Sequence, residues 1–302
     1  MVGVSANGNR KGGKTNFLFK RIAFCSLIPH NSIIEEYQEE GYVLTLRQLY
    51  YQLVSRDIVP NQQKEYSKLS TLLKEGRMAG IVDWDAIEDR LRKPSSPPSF
   101  DSPAEILKAA IQQFQLPRMK GQSVYVEVWV EKDALSGVLK RVTEKYHIPI
   151  LVCRGYSSVS AMFDSYQRFN AAWGEGQRIR ILYLGDHDSS GLDMIRDIEA
   201  RSLEFFAGEQ GIEDLDEAKE DFGFEIIPIT LTMRQINQYD PPPNPAKMTD
   251  PRAKDYIAKF GKVSWEVDAL PPQVLNQLLE NSILQLIDED QYLSVVDAEK
   301  AD

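Results

Sequence analysis

From residue 123 onward, extended and helical patterns take turns along the chain. "SVYVEVWVEK" (123–132) is dense in β-branched and aromatic residues, and "ALSGVLKRVTEKY" (134–146) carries a helical stripe. "IPILVCRG" (148–155) reads as a strand and "SVSAMFDSYQRFNAAW" (158–173) as a helix. "RIRILYLGDHD" (178–188) is again a strand, "GLDMIRDIEARSLEFFA" (191–207) a helix and "FGFEIIPITL" (222–231) a strand. Strands that alternate with helices of roughly 12 to 16 residues predict βαβ units and a parallel sheet, which places this part of the chain in the α/β class. "LPPQVLNQLLENSILQLID" (270–288) closes it with a helix carrying Pro near its first position.

The preceding region has a different rhythm. "NSIIEEYQEEG" (31–41) opens on a capping Asn or Ser and stops at Gly41. "TLRQLYYQLVSRD" (45–57) sets Leu46, Leu49, Tyr50 and Leu53 on one stripe behind Thr45 as N-cap. "EYSKLSTLLKEGRMAG" (65–80) predicts a third helix with Leu69, Leu72 and Leu73 inward, and "GIVDWDAIED" (80–89) a short extended piece. Three short helices followed by a β-ribbon resemble a winged-helix unit. Four prolines and four serines crowd "KPSSPPSFDSP" (93–103), which suits an interdomain linker. The expected division is a basic tail over 1–28, a winged-helix domain over 29–92, the linker over 93–103, and an α/β domain with C-terminal helices over 104–302.

The chain has 302 residues, 42% of them hydrophobic, and a formal net charge of −10. That balance argues against nonspecific nucleic-acid binding by bulk charge, but the charge is unevenly spread. Residues 1–21 hold Arg10, Lys11, Lys14, Lys20 and Arg21 and no acid, whereas residues 204–225 oppose a run of acids with Lys219 alone. A local basic groove is therefore compatible with the total. No stretch of about 18 uninterrupted apolar residues occurs, so no membrane span is expected. "FLFKRIAFCSLI" (17–28) is interrupted by Lys20 and Arg21 and does not read as a signal peptide. Cys25 and Cys153 make no metal-binding spacing and read as free thiols of a reducing cytoplasm.

The strand "RIRILYLGDHD" finishes in Asp186, His187 and Asp188, and the strand "SVYVEVWVEK" finishes in Glu131. Ligands of open α/β sheets collect beyond the carboxyl ends of strands. If these strands are neighbours, three carboxylates converge, and such like charges repel unless a cation sits between them. Oxygen donors without a Cys cluster select a hard ion, so Mg²⁺ is favoured with Mn²⁺ as substitute. The simpler alternative is that one of the two aspartates only caps the helix near Gly191. His187 points opposite to its neighbours in strand geometry and suits a structural role better than a ligand's.

Tyr50 and Tyr51 lie about 100° apart on a helix. Tyr50 shares the leucine stripe and is expected in the core, while Tyr51 points elsewhere with Arg47 four residues before it on the same side. An Arg beside a phenol can bind phosphate and lower the phenol's pKa, and a phenolate can attack phosphorus to give a covalent intermediate. On spacing alone, such a pair is commonly an ordinary surface contact.

Taken together, these stretches resemble one family. "TLRQLYY" is similar to the Thr-Lys-Arg-Asp-(Ile/Val)-Tyr-Tyr segment in the winged-helix domain of the topoisomerase VI A subunit and the related meiotic double-strand-break transesterases. "VWVEKDAL" resembles the Val-Ile-Glu-Lys-Glu-Gly stretch of their Toprim domain, "GDHDSSGLDM" its Asp-x-Asp-x-x-Gly motif, and "CRGYSSVSAMF" a glycine-containing βα turn between them. The resemblance spans roughly residues 30–290 and suggests a short stand-alone member of the Mini-A kind. It implies that Tyr51 attacks a DNA phosphodiester and becomes linked to the 5′ end while Arg47 steadies the phosphate. It also implies that Glu131, Asp186 and Asp188 hold Mg²⁺. "WEVDAL" resembles a later acidic stretch, so Glu266 and Asp268 are expected to support a second ion. In the family the tyrosine of one subunit works with the metal of the other, which implies a homodimer on double-stranded DNA, a nucleoid-associated cytoplasmic enzyme, and a separate ATPase subunit as a candidate partner.

Gln48 and Leu46 depart from the family's Asp and Lys, and no ATPase segment is present, so cleavage is better supported than strand passage. "GNRKGGKT" (8–15) matches a P-loop in letters only. "MVGVSAN" before it is too short and polar for the buried strand that such a loop needs, and Arg10, Lys11 and Lys14 suit a basic tail that touches phosphate backbone. Two other readings stay open: a Toprim nuclease that uses water, and a winged-helix DNA-binding protein with no catalysis.

Overall fold

The computed structural model describes residues 32–87, 97 and 99–301. The chain divides into two compact units, one ending at Asp89 and the next beginning at Arg90. The basic tail, the P-loop-like stretch and Cys25 lie outside the described residues, as do residues 93–96 and 98 of the expected linker.

In the first unit, helix α1 covers residues 32–39, α2 spans Leu46–Ser55 and α3 spans Gln63–Met78. Thr45 caps α2 as its position predicts, and Gln48 reaches back to complete a reciprocal capping box. Arg56 makes a two-pronged pair with Glu36 at 2.7 and 2.8 Å, tying the end of α2 to α1. Ile33, Ile34, Tyr37, Leu49, Leu53, Leu69 and Leu73 form the buried centre. The expected extended piece at 80–89 is not a strand: Trp84–Ala86 form a single 3₁₀ turn capped by the Asp83 side chain. Asp83 satisfies the Asp85 N–H locally, and such side-chain-to-backbone bonds compete with strand pairing. Among the described residues of this unit, the only β pairing is an isolated parallel bridge between Leu44 and Ile87, so the predicted β-ribbon is not formed by them.

The second unit is the α/β part. Helix α4, Pro103–Gln113, starts at the end of the proline-rich stretch with Ser102 as its cap. Strand β1 (Val124–Val130), α5 (Asp133–Tyr146), β2 (Ile150–Val152), α6 (Val159–Gly174), β3 (Arg178–Leu184), α7 (Ser189–Gln210), α8 (Leu215–Phe222) and β4 (Glu225–Thr230) follow. The four strands lie in the order β2-β1-β3-β4, and every pairing is parallel. Pro228, which cannot donate to a ladder, is placed on the edge strand β4. Alternation along β1 sends Val124, Val126, Val128 and Val130 into one core with Leu135 and Leu139 of α5. Trp129 faces the other core, with Phe169 of α6, Phe206 of α7 and Phe222 of α8. Both faces of the sheet are thus covered, as a parallel sheet requires.

Beyond β4 come α9 (Met233–Tyr239), a two-stranded hairpin of β5 (Asn244–Pro245) with β6 (Val263–Ser264), and α10 (Ala253–Phe260) between the hairpin strands. Helices α11 (Pro272–Leu284) and α12 (Glu289–Ala301) complete the chain. Leu275, Leu279 and Ile283 of α11 pack on the β1 valine face. Among the described residues, no helix is long and apolar enough to cross a membrane.

Candidate functional site

Strands β1 and β3 run in register to their last pair, Val130 opposite Leu184. Glu131 is therefore delivered to the same edge as the Gly185–Asp188 loop, and its backbone N–H donates to the Leu184 carbonyl at 2.9 Å. The Asp186 N–H in turn donates to Glu131 Oε2 at 3.0 Å. The Glu131 carboxylate and the Asp186 backbone thus meet at the shared edge of the two strands.

Around Asp186 the contacts multiply. Its Oδ1 accepts the Val267 N–H at 2.8 Å and pairs with Lys132 Nζ at 2.9 Å. The same ammonium reaches Glu266 Oε2 at 2.9 Å and Asp268 Oδ1 at 2.8 Å. Asp188 divides its two oxygens. Oδ1 caps α7 by accepting the N–H groups of Ser190 at 3.0 Å and Gly191 at 2.7 Å, and Oδ2 faces Lys247 Nζ at 3.2 Å. Asp188 thus caps α7, as the simpler alternative expects, and keeps its second oxygen toward Lys247. A Cβ at position 191 would stand 2.3 Å from the Asp186 carbonyl oxygen, so only glycine lets the first turn of α7 pack against the acidic loop.

Asp186, Asp188 and Asp268 are all buried. Burial pushes the Asp186 carboxyl up to about 7, with Glu131 and Asp268 adding to the rise and Lys132 opposing it. Glu131 is also held above the usual carboxylate range, first by burial, against the lowering effect of the Asp186 N–H. Burial works to lower the Lys247 ammonium, but Asp188, Asp186 and Glu266 together raise it.

Four carboxyl groups, Asp186, Asp188, Glu266 and Asp268, therefore share two ammonium groups, Lys132 and Lys247, and Glu131 lies against the Asp186 N–H beside them. An all-oxygen donor set with surplus negative charge fits a hard divalent cation in kind. As the side chains stand, no three His, Cys, Asp or Glu residues gather as metal ligands among the described residues; the cation at the junction is Lys132.

His187 takes the structural role its orientation suggests. It is buried, its Nδ1 lies 2.9 Å from the Tyr256 hydroxyl, and that hydroxyl donates to the His187 carbonyl at 2.8 Å. The rings of Phe260 and Trp265 pack edge-on against it. This contact and the His187–Trp265 bridge anchor the hairpin segment that carries Lys247, Glu266 and Asp268. Cys153 is a free, buried thiol pushed up to about 12 by burial, which makes it a poor nucleophile.

In the first unit, Tyr50 is fixed as a structural residue. The Gln62 N–H donates to its hydroxyl at 2.8 Å, and the hydroxyl donates to Asn61 Oδ1 at 3.2 Å. Tyr51 differs from its expected placement away from the core: it is 3% exposed, its ring 5.5 Å from that of Tyr50. Arg47 is exposed. Arg10, Lys11 and Lys14 lie outside the described residues.

Lys132 and Lys247 are site residues for which the sequence patterns predict no role, although Lys132 stands in the Glu-Lys pair of "VWVEKDAL". A lysine directly after the strand-ending Glu131 was a local signal for the first; Lys247 sits in a proline-rich connection without one. No protein-family model matches the chain, and no curated protein aligns with it.

Proposed function

We propose that the chain is a Mg²⁺-dependent DNA-cleaving transesterase of the topoisomerase VI A kind, with a winged-helix first unit and a Toprim second unit. The observation that carries this reading is the buried acidic junction at the carboxyl ends of β1 and β3, where Glu131 and Asp186 are in hydrogen-bonded contact and Asp188 adds its charge at Glu131. Glu131, Asp186 and Asp188 would hold Mg²⁺, with Mn²⁺ as substitute, and the bound ion would supply positive charge to a scissile phosphate. Tyr51 forms the new bond from its phenolic oxygen to phosphorus. The bond from phosphorus to the 3′ oxygen breaks, the proton released by the phenol is balanced by one taken up by the leaving 3′ oxygen, and the 5′ phosphate stays on the tyrosine. Arg47 steadies the phosphate through charge-assisted hydrogen bonds.

Because Tyr51 is buried, this reading requires its side chain to become accessible when DNA binds. A homodimer on double-stranded DNA supplies the tyrosine of one protomer to the acids of its partner, the tail residues Arg10, Lys11 and Lys14 touch phosphate backbone, and a separate ATPase subunit would couple cleavage to strand passage. A cytoplasmic, nucleoid-associated enzyme follows from that substrate.

The test is to quench the full chain on supercoiled DNA with denaturant in Mg²⁺. A covalent protein–DNA adduct that disappears in Tyr51→Phe supports the reading. The burial of Tyr51 favours one competitor, a nuclease in which water attacks. Cleavage with no adduct, undiminished in Tyr51→Phe and lost in Asp186→Ala, would replace the transesterase with that hydrolase.

A further inference from the structure

The two lysines of the acidic junction are not equivalent. Lys247 is an outer partner: its side chain is 66% exposed and makes one carboxylate contact, at 3.2 Å. Lys132 is an inner one: its side chain is 18% exposed, and its ammonium stands 2.9 Å from Asp186, 2.9 Å from Glu266 and 2.8 Å from Asp268. Its backbone sets this up. Lys132 is the N-cap residue of α5, two positions past the end of β1, so its backbone is held by both elements.

A hard divalent ion bridging Asp186 to the Glu266–Asp268 pair would need the same carboxylate oxygens, at roughly 2.0 to 2.6 Å. An ammonium group and such an ion cannot both stand there, because the donors are shared and the two cations repel. On the other side of Asp186, Glu131 lies against the Asp186 N–H and Asp188 keeps one oxygen toward the exposed Lys247, so a cation arriving from solvent has only that outer lysine to displace. We infer that Lys132 takes the place of a second divalent ion: the chain holds a single exchangeable ion on the Glu131–Asp188 side, and the lysine permanently bridges Asp186 to Glu266 and Asp268. On this inference Glu266 and Asp268 serve the lysine rather than the second ion expected of them. It rests on the metal site proposed above.

The experiment counts ions rather than activity. The full chain is titrated with Mn²⁺ alone, without DNA, and bound ion is separated from free by its electron paramagnetic resonance signal. One ion per chain is expected for the parent and for Lys132→Arg, which keeps the charge, and two for Lys132→Met, which removes it. Two ions on the parent, or one on a folded Lys132→Met, would overturn the inference while leaving the metal site standing. No ion on either would overturn both the inference and the proposed metal site. Asp268→Asn supplies the count if Lys132→Met fails to fold: the parent's single ion is retained if Lys132 alone uses Asp268, and a drop to none would show that Asp268 is a metal ligand and sink the inference.

Discussion

Two buried carboxylates on adjacent strands of one sheet meet opposite fates. Glu127, midway along β1 and 0% exposed, accepts the Tyr125 hydroxyl at 2.7 Å and the Trp129 Nε1–H at 2.9 Å. Arg168 closes the set with Nε at 2.6 Å and Nη2 at 3.0 Å. One acid meets one guanidinium, with its lone pairs filled. Asp186, just past the end of β3, shares Lys132 with two further acids and is pushed up to about 7, chiefly by burial. A charge deep in the sheet has to be neutralised by the protein itself. A surplus of like charge at the open edge can instead be relieved by an ion from solvent, which is the basis of the metal site proposed there.

The contrast would fail hardest if neutralising the two sites had the same consequence. Arg168→Met leaves Glu127 buried with no counter-charge and is expected to cost about 3 to 5 kcal/mol in urea unfolding. A cost below about 1 kcal/mol would mean that Glu127 is not held by that pair. Gly191→Ala, which sets a methyl group against the Asp186 carbonyl, should destabilise by about 1 to 3 kcal/mol through overpacking and weaken Mn²⁺ binding by moving the acidic loop. An unchanged Mn²⁺ affinity would detach the loop from the site.

Asp186→Asn should behave in the opposite sense from Arg168→Met. In chelator at pH 7.5 it removes one member of a crowded set of acids and is expected to leave the melting temperature equal or higher. The pH dependence supplies the finer test. Asp186 has a folded pKa of about 7 against an ordinary 3.8, so the folded chain binds this proton more tightly than the unfolded chain. The contribution to stability is present below the ordinary value and is lost as pH rises through about 7. In chelator, the parent should therefore gain stability relative to Asp186→Asn as pH falls from about 7 to 4, read from urea midpoints across that range. A difference that stays flat would remove Asp186 from the charge-crowded set.

The sheet was readable in the sequence because alternation on β1 and β3 is enforced by two covered faces: Val126 and Val128 against Tyr125 and Trp129 leave one register that buries both sets. The strand ends next to Glu131 and Asp186, at Val130 and Leu184, followed from the same regularity. What escaped depends on distance along the chain. Lys132 joins Glu266 and Asp268 across 134 and 136 residues, and no local pattern encodes such a pairing. Tyr51 was placed off the buried stripe by helical spacing, yet it is buried, since an angular offset on one helix does not say what packs over it. The piece at 80–89 reads as extended by composition, but Asp83 diverts it into a capped turn.

The claim on which the rest depends is that the carboxyl ends of β1 and β3 bind a divalent cation. Crystals soaked in Mn²⁺ and measured at the manganese absorption edge locate that ion directly. One anomalous peak is expected within roughly 2.5 Å of carboxylate oxygens of Glu131, Asp186 and Asp188, with Lys132 still between Asp186, Glu266 and Asp268. No peak at that edge of the sheet, or a peak in the place of the Lys132 ammonium, would contradict it.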